Sequence, residues 1–189
     1  MARRTKTSEW MKWGIIGSGI AAGAALIPLI PAIKKRAMRV ITILTKDHRV
    51  VSGLMRALEM TPKVNATVRR TLFEQIRNNV MVHAQAEEDV FYPAMRNLSF
   101  GTGSTQVDEA YREHQMVKDL LNDLSHMDPL SDSFDMKFAD FKKKLEHHVE
   151  EEENEMFTMV KQRMSTEQQE ELGQRIHNRK MDLKTRMAA

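Results

Sequence analysis

The stretch "KLEHHVEEEENEMF", residues 144–157, decides the fold because it is either a solvated acidic surface or a set of buried ionisable groups. It holds two histidines and six glutamates in fourteen positions. His148 and Glu152 continue a line of apolar residues spaced by three or four, which is the spacing of one helix face. That line is Phe134, Phe138, Phe141, Leu145, Met156 and Met159. The spacing predicts that His148 and Glu152 are buried, whereas His147, Glu150, Glu151 and Glu153 mostly point elsewhere.

Three earlier stretches show the same helical spacing, and each contains a histidine on its apolar face. The first is Ile41, Leu44, His48, Val51, Met55 and Leu58; the second is Leu72, Ile76, Val80, His83, Glu87, Val90 and Ala94; the third is Val107, Tyr111, His114, Val117, Leu121 and Leu124. The connections contain turn residues: "TP" (61–62), "SFGTGSTQ" (99–106) and "DPLSDS" (128–133). Thr61 and Pro62 fit a helix start. Four amphipathic helices with short loops predict an all-α, up-down-up-down four-helix bundle.

The chain divides into three predicted regions. Residues 1–37 form a hydrophobic segment with basic flanks, residues 38–164 form the bundle, and residues 165–189 form an extra C-terminal helix that begins with a capping signature. His177, in the extra helix, is expected to be incidental to any site.

The uncharged run "WGIIGSGIAAGAALIPLIPAI", residues 13–33, is long enough to span a bilayer as a helix. It predicts a membrane-associated protein with a single pass through the inner membrane and the bundle on the cytoplasmic side. Nearly equal numbers of basic residues before and after the run leave the orientation open. A cleaved signal peptide and an apolar tail on a soluble protein are the alternatives.

The composition excludes several chemistries. The chain has no cysteine, so it has no disulfide, thiolate zinc site, iron–sulfur cluster or thiol nucleophile. The formal net charge is only +3, and no basic helix is interleaved with aromatic residues. Nucleic acid is therefore not a predicted partner.

The inward faces of the four helices should bring together four imidazoles and two carboxylates: His48, His83, Glu87, His114, His148 and Glu152. Buried carboxylates are costly unless a positive charge is nearby, and the four apolar faces contain no lysine or arginine. A divalent cation solves this problem, because neutral imidazole and carboxylate are both metal ligands. Manganese and zinc suit these ligands as well as iron does.

An internal repeat indicates two metal positions. His48 and His83 are 35 residues apart, and His114 and His148 are 34 apart. "HAQAEEDVFYP" (83–93) aligns with "HVEEEENEMFT" (148–158), and "DH" (47–48) aligns with "EH" (113–114). Each half therefore offers two histidines and one glutamate.

At these motifs the sequence resembles the hemerythrin-like, HHE cation-binding family over residues 39–165. The resemblance implies a four-helix bundle that holds two non-haem iron ions, often oxo- or hydroxo-bridged. It implies that His48, His83, His114 and His148 are terminal ligands and that Glu87 and Glu152 are bridging ligands. Oxygen-carrying members have a fifth histidine where this chain has Lys118, so one coordination position is expected to be open or to hold water. His147 is an alternative to His148.

The function expected from these features is binding or sensing of O2, NO or peroxide at a di-iron centre tethered to a membrane. Two other functions remain open. One is redox catalysis, as a di-iron peroxidase or NO reductase; the other is iron homeostasis or a stress-response role as a metal-binding module. The oligomeric state is not predicted.

Overall fold

The computed structural model describes residues 36–98 and 103–188 of the chain. All regular structure in these two ranges is helical, which confirms the predicted all-α class. The helices and π-helical turns are α1 (Val40–Met60), α2 (Ala66–Ala86), π1 (Glu87–Phe91), α3 (Tyr92–Leu98), α4 (Gly103–Ser125), α5 (Asp132–Glu151), π2 (Glu152–Met156), α6 (Phe157–Arg163) and α7 (Thr166–Ala188).

Helix α1 buries one continuous face, as its apolar spacing predicts. Its buried residues are Val40, Leu44, His48, Val51, Met55 and Leu58. The steps of three and four residues keep these side chains in one stripe. His48 therefore faces the interior together with aliphatic neighbours.

Helix α2 begins later than the sequence suggested. Thr61 is the residue at which α1 ends, and the chain turns before Asn65 caps α2. The Asn65 side chain accepts a hydrogen bond from the Val68 N–H at 3.3 Å. Ser131 caps α5 in the same way, accepting from the Phe134 N–H at 3.1 Å. Both caps satisfy backbone donors that a helix start leaves without partners.

Two π-helical turns, π1 and π2, occur at equivalent places in the two halves of the repeat. In π1 the Tyr92 N–H bonds the Glu87 carbonyl, and in π2 the Phe157 N–H bonds the Glu152 carbonyl, each five residues back. The extra residue in each turn displaces the buried face by one position. The sequence placed Ala94 and Met159 on these faces, but the fully buried residues are Met95 and Val160.

The interior consists of two apolar layers with the predicted histidines and glutamates between them along each helix. One layer contains Val51, Met55, Leu58, Phe73, Ile76, Val80, Val117, Leu121, Leu124, Phe134, Phe138, Phe141 and Leu145. The other contains Val40, Leu44, Ala86, Val90, Phe91, Tyr92, Met95, Val107, Ala110, Met156, Phe157, Val160, Leu172 and Ile176. Burial of these side chains supplies most of the free energy that holds polar groups in the middle.

Helix α7 packs against α1 and α2, and it buries Leu172 and Ile176 in the second apolar layer. Gly173 allows the close approach, because a Cβ atom there would lie 1.8 Å from the Met38 carbonyl oxygen. A side chain at this position would push α7 away from the start of α1. His177 is exposed.

The predicted membrane span, residues 13–33, lies outside the described residues. Within residues 36–98 and 103–188, no helix combines the length and the apolar character that crossing a bilayer requires.

Candidate metal centre

All six residues expected at the site lie in one buried layer. His48 is 8% exposed, and the other five, His83, Glu87, His114, His148 and Glu152, are 5% exposed or less. They come from α1, α2, π1, α4, α5 and π2 in that order along the chain. Each residue sits where its helix passes between the two apolar layers, so the repeat places two similar sets of donors at the same depth.

The first half of the repeat forms a cluster around two facing imidazoles. The Nε2 atoms of His48 and His83 are 3.2 Å apart. His48 Nε2 lies 3.2 Å from Glu152 Oε2, and His83 Nε2 lies 3.1 Å from Glu87 Oε2. Each of these four residues offers one ligand atom, and the four atoms lie within 4.8 Å of one another.

The second half repeats the arrangement. The Nε2 atoms of His114 and His148 are 3.0 Å apart. Glu87 Oε2 reaches this pair too, at 3.4 Å from His114 Nε2. Glu87, His114 and His148 therefore form a second group of ligand atoms within 4.8 Å, and Glu87 belongs to both groups.

A second set of four carboxylates, here called the outer carboxylates, fixes the orientation of all four imidazoles. The pairs are His48 Nδ1 with Glu153 at 2.8 Å, His83 Nδ1 with Asp47 at 3.3 Å, His114 Nδ1 with Glu88 at 3.0 Å, and His148 Nδ1 with Glu113 at 2.8 Å. An ionised carboxylate only accepts, so each Nδ1 carries the proton and donates. In a neutral imidazole the lone pair is then on Nε2, which faces the centre. This is the arrangement that metal-binding histidines use.

The centre is rich in electron pairs and poor in donors. No hydrogen bond from any described residue reaches the four carboxylate oxygens of Glu87 and Glu152. Buried oxygens without partners are costly, and facing lone pairs repel. Imidazole nitrogens and carboxylate oxygens suit divalent transition-metal ions. The residues present therefore fit a cation-binding centre.

Protons partly substitute for a cation in the metal-free centre. Burial and the neighbouring charge of Glu152 raise the pKa of Glu87 well above its usual value. Burial opposes a charge on His48, but its contacts with Glu152 and Glu153 outweigh burial and raise the pKa of that imidazole. Burial lowers the pKa of His114 to about 4. His114 is therefore neutral at pH 7, and its Nε2 lone pair, which accepts from the Tyr92 hydroxyl at 3.0 Å, is the one that a metal would take.

Lys118 and Tyr92 lie near the second cluster, and Lys118 stands where the resemblance leads one to expect a fifth histidine. Lys118 turns away from the centre and bonds both carboxylate oxygens of Glu88 at 2.6 and 2.8 Å. The buried Tyr92 hydroxyl lies 3.0 Å from His114 Nε2. Tyr92 follows π1 directly, so regular helical spacing did not single it out. Tyr111, which the sequence placed near the centre, instead donates to the Glu88 carbonyl at 3.0 Å.

Sequence reasoning did not identify the outer carboxylates, although the repeat contained the signal. Asp47 and Glu113 each precede a histidine of the centre, and Glu88 and Glu153 each follow a glutamate of the centre. The expectation that Glu153 points away was wrong. Its side chain is 38% exposed and still contacts His48, because a residue at the rim of the layer reaches the outer edge of an imidazole.

His147 does not take the place of His148. Its side chain is 62% exposed, and its Nε2 atom lies 3.3 Å from Glu151 Oε1. His148 is the histidine that faces His114.

Known relatives share this part of the chain. The family model "Hemerythrin HHE cation binding domain" matches residues 39–160. A Nostoc sp. protein named DNA nickase is 28% identical over 177 residues, which are 93% of this chain and 49% of that protein. The chain thus spans about half the length of that relative. Uncharacterized proteins of Mycobacterium bovis and Mycobacterium tuberculosis are 27% identical over 119 residues, 63% of this chain and 70% of each of theirs.

A solved structure agrees with the sequence comparison. The crystal structure of a hemerythrin HHE cation binding domain-containing protein from Mycobacterium kansasii superimposes with a TM-score of 0.66 at 29% identity. The match covers 77% of this chain and 86% of that one. Since the family model spans well over half of the chain and includes all six residues of the centre, this protein belongs to the hemerythrin HHE cation-binding domain family.

Proposed function

We propose that the six residues bind two non-haem iron ions, and that the centre binds O2, NO or peroxide. The observation that carries the proposal is the inward convergence of four Nε2 lone pairs and four carboxylate oxygens that lack hydrogen bonds. Manganese and zinc would find the same donors, so the identity of the metal is part of the proposal.

The ligands divide between the two halves. His48 and His83 would hold one ion, and His114 and His148 would hold the other. Glu87 lies close to both pairs, which suits a bridging carboxylate, and Glu152 is assigned the same role from its place in the repeat. When bound, the iron ions supply an open coordination position and electrons for a small oxidant.

The surrounding residues prepare the centre for this role. The outer carboxylates hold each imidazole with its Nε2 atom inward, and an apolar layer lies on each side of the centre. The Tyr92 phenol stands beside His114, with its oxygen 3.0 Å from the Nε2 atom that faces the centre. Burial raises the pKa of Tyr92 well above its usual value, so this phenol remains protonated and donates. We propose that it donates to the small ligand.

The finer architecture belongs to the same proposal. His48 and His83 meet although each is more than two turns from the connection between α1 and α2. This supports helices that alternate in direction, with the bundle at 38–164 and an added helix at 165–189. The membrane anchor at residues 13–33 rests on the sequence alone.

Anaerobic titration of the metal-free full-length chain with Fe2+ tests the metal centre. We expect two ions per chain by metal analysis. Addition of O2, NO or peroxide should change the near-ultraviolet charge-transfer absorption. His114→Ala should lower the iron content, and His177→Ala, which removes an exposed histidine on α7, is the matched control. Wild-type protein that binds less than one ion per chain would contradict the proposal.

Redox turnover is the second candidate, because the buried phenol of Tyr92 is an oxidisable group beside the centre. Turnover assays with peroxide and NO on the iron-loaded protein separate catalysis from stoichiometric binding. Tyr92→Phe should lower turnover while the iron content stays near two ions per chain. A role in iron homeostasis or stress would leave metal binding without turnover.

The name of the Nostoc relative makes plasmid nicking a further assay, in which we expect supercoiled DNA to remain intact.

A further inference from the structure

A groove leads from the surface to the candidate centre in the second half of the repeat. It has a volume of about 240 Å3 and lies along α4, α5 and π2. His148 and Glu152, both buried, form its inner end, and the exposed residues Glu109 and Glu155 belong to its outer part. The groove therefore connects solvent with two residues of the centre.

Three ligand-type side chains stand together beside this groove. His147 Nε2 lies 3.3 Å from Glu151 Oε1 and 3.9 Å from Glu113 Oε1. One ligand atom from each residue lies within 4.8 Å of the others. The second oxygen of Glu113 accepts from His148 Nδ1 at 2.8 Å, so this outer cluster touches the centre directly. We name Glu113, His147 and Glu151 the outer cluster.

An independent feature at the inner end of the groove indicates a cationic ligand. Glu152 lines the groove, is 1% exposed, and has no hydrogen bond on either carboxylate oxygen. Its Oε2 atom lies 3.2 Å from His48 Nε2, but a buried carboxylate that accepts no hydrogen bond still favours a further positive charge beside it. The groove thus ends at a buried carboxylate whose negative charge a cation would neutralise.

The first half of the repeat is closed at the position equivalent to this groove, although a separate groove of about 420 Å3 reaches His48 and His83 from another side. Alignment of His48 with His114, and of His83 with His148, pairs three of the five groove glutamates with apolar residues. The pairs are Ile43 with Glu109, Ala86 with Glu151, and Val90 with Glu155. In the first half these apolar residues pack with Leu172 and Ile176 of α7. Helix α7 therefore covers one face of the repeat, while the acidic face stays open.

The charge of the groove suits a cation. Five glutamates line it, and the described residues along its walls include no lysine or arginine. Glu109 also contacts Arg112, and Glu155 accepts from Gln106 at 2.5 Å, so the outermost carboxylates are partly compensated. Clefts lined by one sign of charge concentrate the opposite ion and raise its association rate.

We propose that this acidic groove is the entry route for a divalent cation, such as Fe2+, and that the outer cluster holds the cation on its way to Glu152. One imidazole and two carboxylates are ligands for divalent transition metals, and partial exposure leaves room for water ligands. The hydrated ion would exchange water for the outer cluster before it reaches the dry centre. The inference rests on the proposed metal centre.

The test measures the rate of metal uptake separately from the final metal content. Metal-free full-length protein is mixed anaerobically with Fe2+, or with Co2+ as an optical probe, in a stopped-flow instrument. The His147→Ala, Glu151→Gln double variant should take up metal roughly tenfold more slowly, because a charged cleft raises on-rates by about 10- to 1,000-fold. Its final metal content should equal that of the wild type. Both residues are exposed enough for the variant to fold, which circular dichroism checks.

Glu150→Gln is the matched control. It removes one charge from the same helix, but Glu150 is exposed and is not among the residues that line this groove. Its uptake rate should stay close to that of the wild type. Higher ionic strength should slow uptake by the wild type more than uptake by the double variant.

Four results would count against the proposal. An unchanged rate in the double variant would contradict the proposed route, and an equal loss of rate in Glu150→Gln would show a general charge effect. A lower final metal content in the double variant would make the outer cluster part of the centre itself. Wild-type protein that takes up no metal would overturn both this route and the metal centre on which it rests.

Discussion

The two halves of the repeat share their inner donors and differ in what supports and covers them. In the first half, Lys180 of α7 contacts Asp47, the carboxylate that orients His83. In the second half, Lys118 supports Glu88, the carboxylate that orients His114. The first half thus depends on a helix outside the repeat, and the second half uses a residue of its own helix.

The comparison shows which features the chemistry constrains. Holding a cation requires inward lone pairs at a common depth, and both halves keep them. The outer faces have no such requirement: one is apolar and packs against α7, and the other is acidic. The Tyr92 hydroxyl adds a further difference, because it stands beside the second pair of histidines.

Substitution of Glu87 and of Glu152 should have the largest effects on metal content, and the two effects should differ. Glu87 lies near both histidine pairs, whereas Glu152 groups with the first pair. Glu87→Leu should reduce the metal content to near zero, and Glu152→Leu should reduce it less, because the second histidine pair keeps Glu87 beside it. Metal-free Glu87→Leu should be more stable by about 1–4 kcal/mol, because an apolar side chain replaces a buried carboxyl group. Metal analysis and urea unfolding with a chelator measure both effects. Equal metal loss in the two variants would contradict this difference between Glu87 and Glu152.

Acid should act on the contributions of His114 and His48 to the stability of the metal-free protein in opposite directions. The pKa of His114 is about 4 when folded, so between its ordinary 6.5 and 4 the unfolded chain binds the proton. Stability should therefore fall as the pH is lowered through this range, by up to about 3 kcal/mol. His48 has a raised pKa, so its contribution is present below its ordinary pKa and is lost as the pH rises through the folded value.

Two glutamine variants separate these contributions. His114→Gln should reduce the loss of stability in acid, and His48→Gln should increase it. Urea unfolding of the metal-free proteins from about pH 7 to about pH 4 gives the free energies. Parallel pH profiles for the two variants would show that burial, and not the specific contacts, sets both pKa values.

Removal of an outer carboxylate should weaken one binding step. Asp47→Ala removes the acceptor of His83, and Glu113→Ala removes the acceptor of His148. Each should lower the affinity of one ion by about 10- to 100-fold, which is typical for the partners of metal-bound histidines. Titration against a competing chelator resolves the two steps, and the double variant should weaken both. Single variants that weaken both steps equally would show that the halves are not independent.

The smallest effect should come from the lysines behind the outer carboxylates. Lys180→Met should weaken the first-half ion by less than about tenfold, because Lys180 acts only through Asp47. Lys118→Met should have a similar effect on the second-half ion through Glu88. Lys184→Met, an exposed change on α7, is the control. If Lys180→Met and Lys184→Met gave the same affinities, α7 would have no part in the centre.

Periodicity predicted the features that depend on burial. The α1 face follows regular spacing from Leu44 to Leu58, so counting residues was enough to find it. The position of the six inner residues could be predicted because burial of ionisable groups on apolar faces is unusual and needs an explanation. Their roles as ligands and the presence of two iron ions remain predictions.

The remaining features depend on geometry that periodicity does not encode. A π-helical turn inserts one residue into a helix without a clear sequence signal, so the burial of Tyr92 and Met95 was not foreseen. The contact of Gly173 with the Met38 carbonyl joins residues that are distant in sequence. Glu153 reaches His48 from the rim of the layer, where exposure and function coexist.

The two wide turns, π1 and π2, each hold one residue more than ordinary winding allows without turning the following residues away from the interior. Removal of one residue between Glu87 and Phe91 would restore ordinary winding, and Met95 would then stand where regular spacing places an inward residue. Tyr92 and Met95 would stay buried, and the same deletion in π2 would keep Phe157 and Val160 in the interior. A residue removed from an ordinary turn of α1 would instead rotate all that follows by about 100°. The two wide turns are therefore the places where these helices can change in length by one residue.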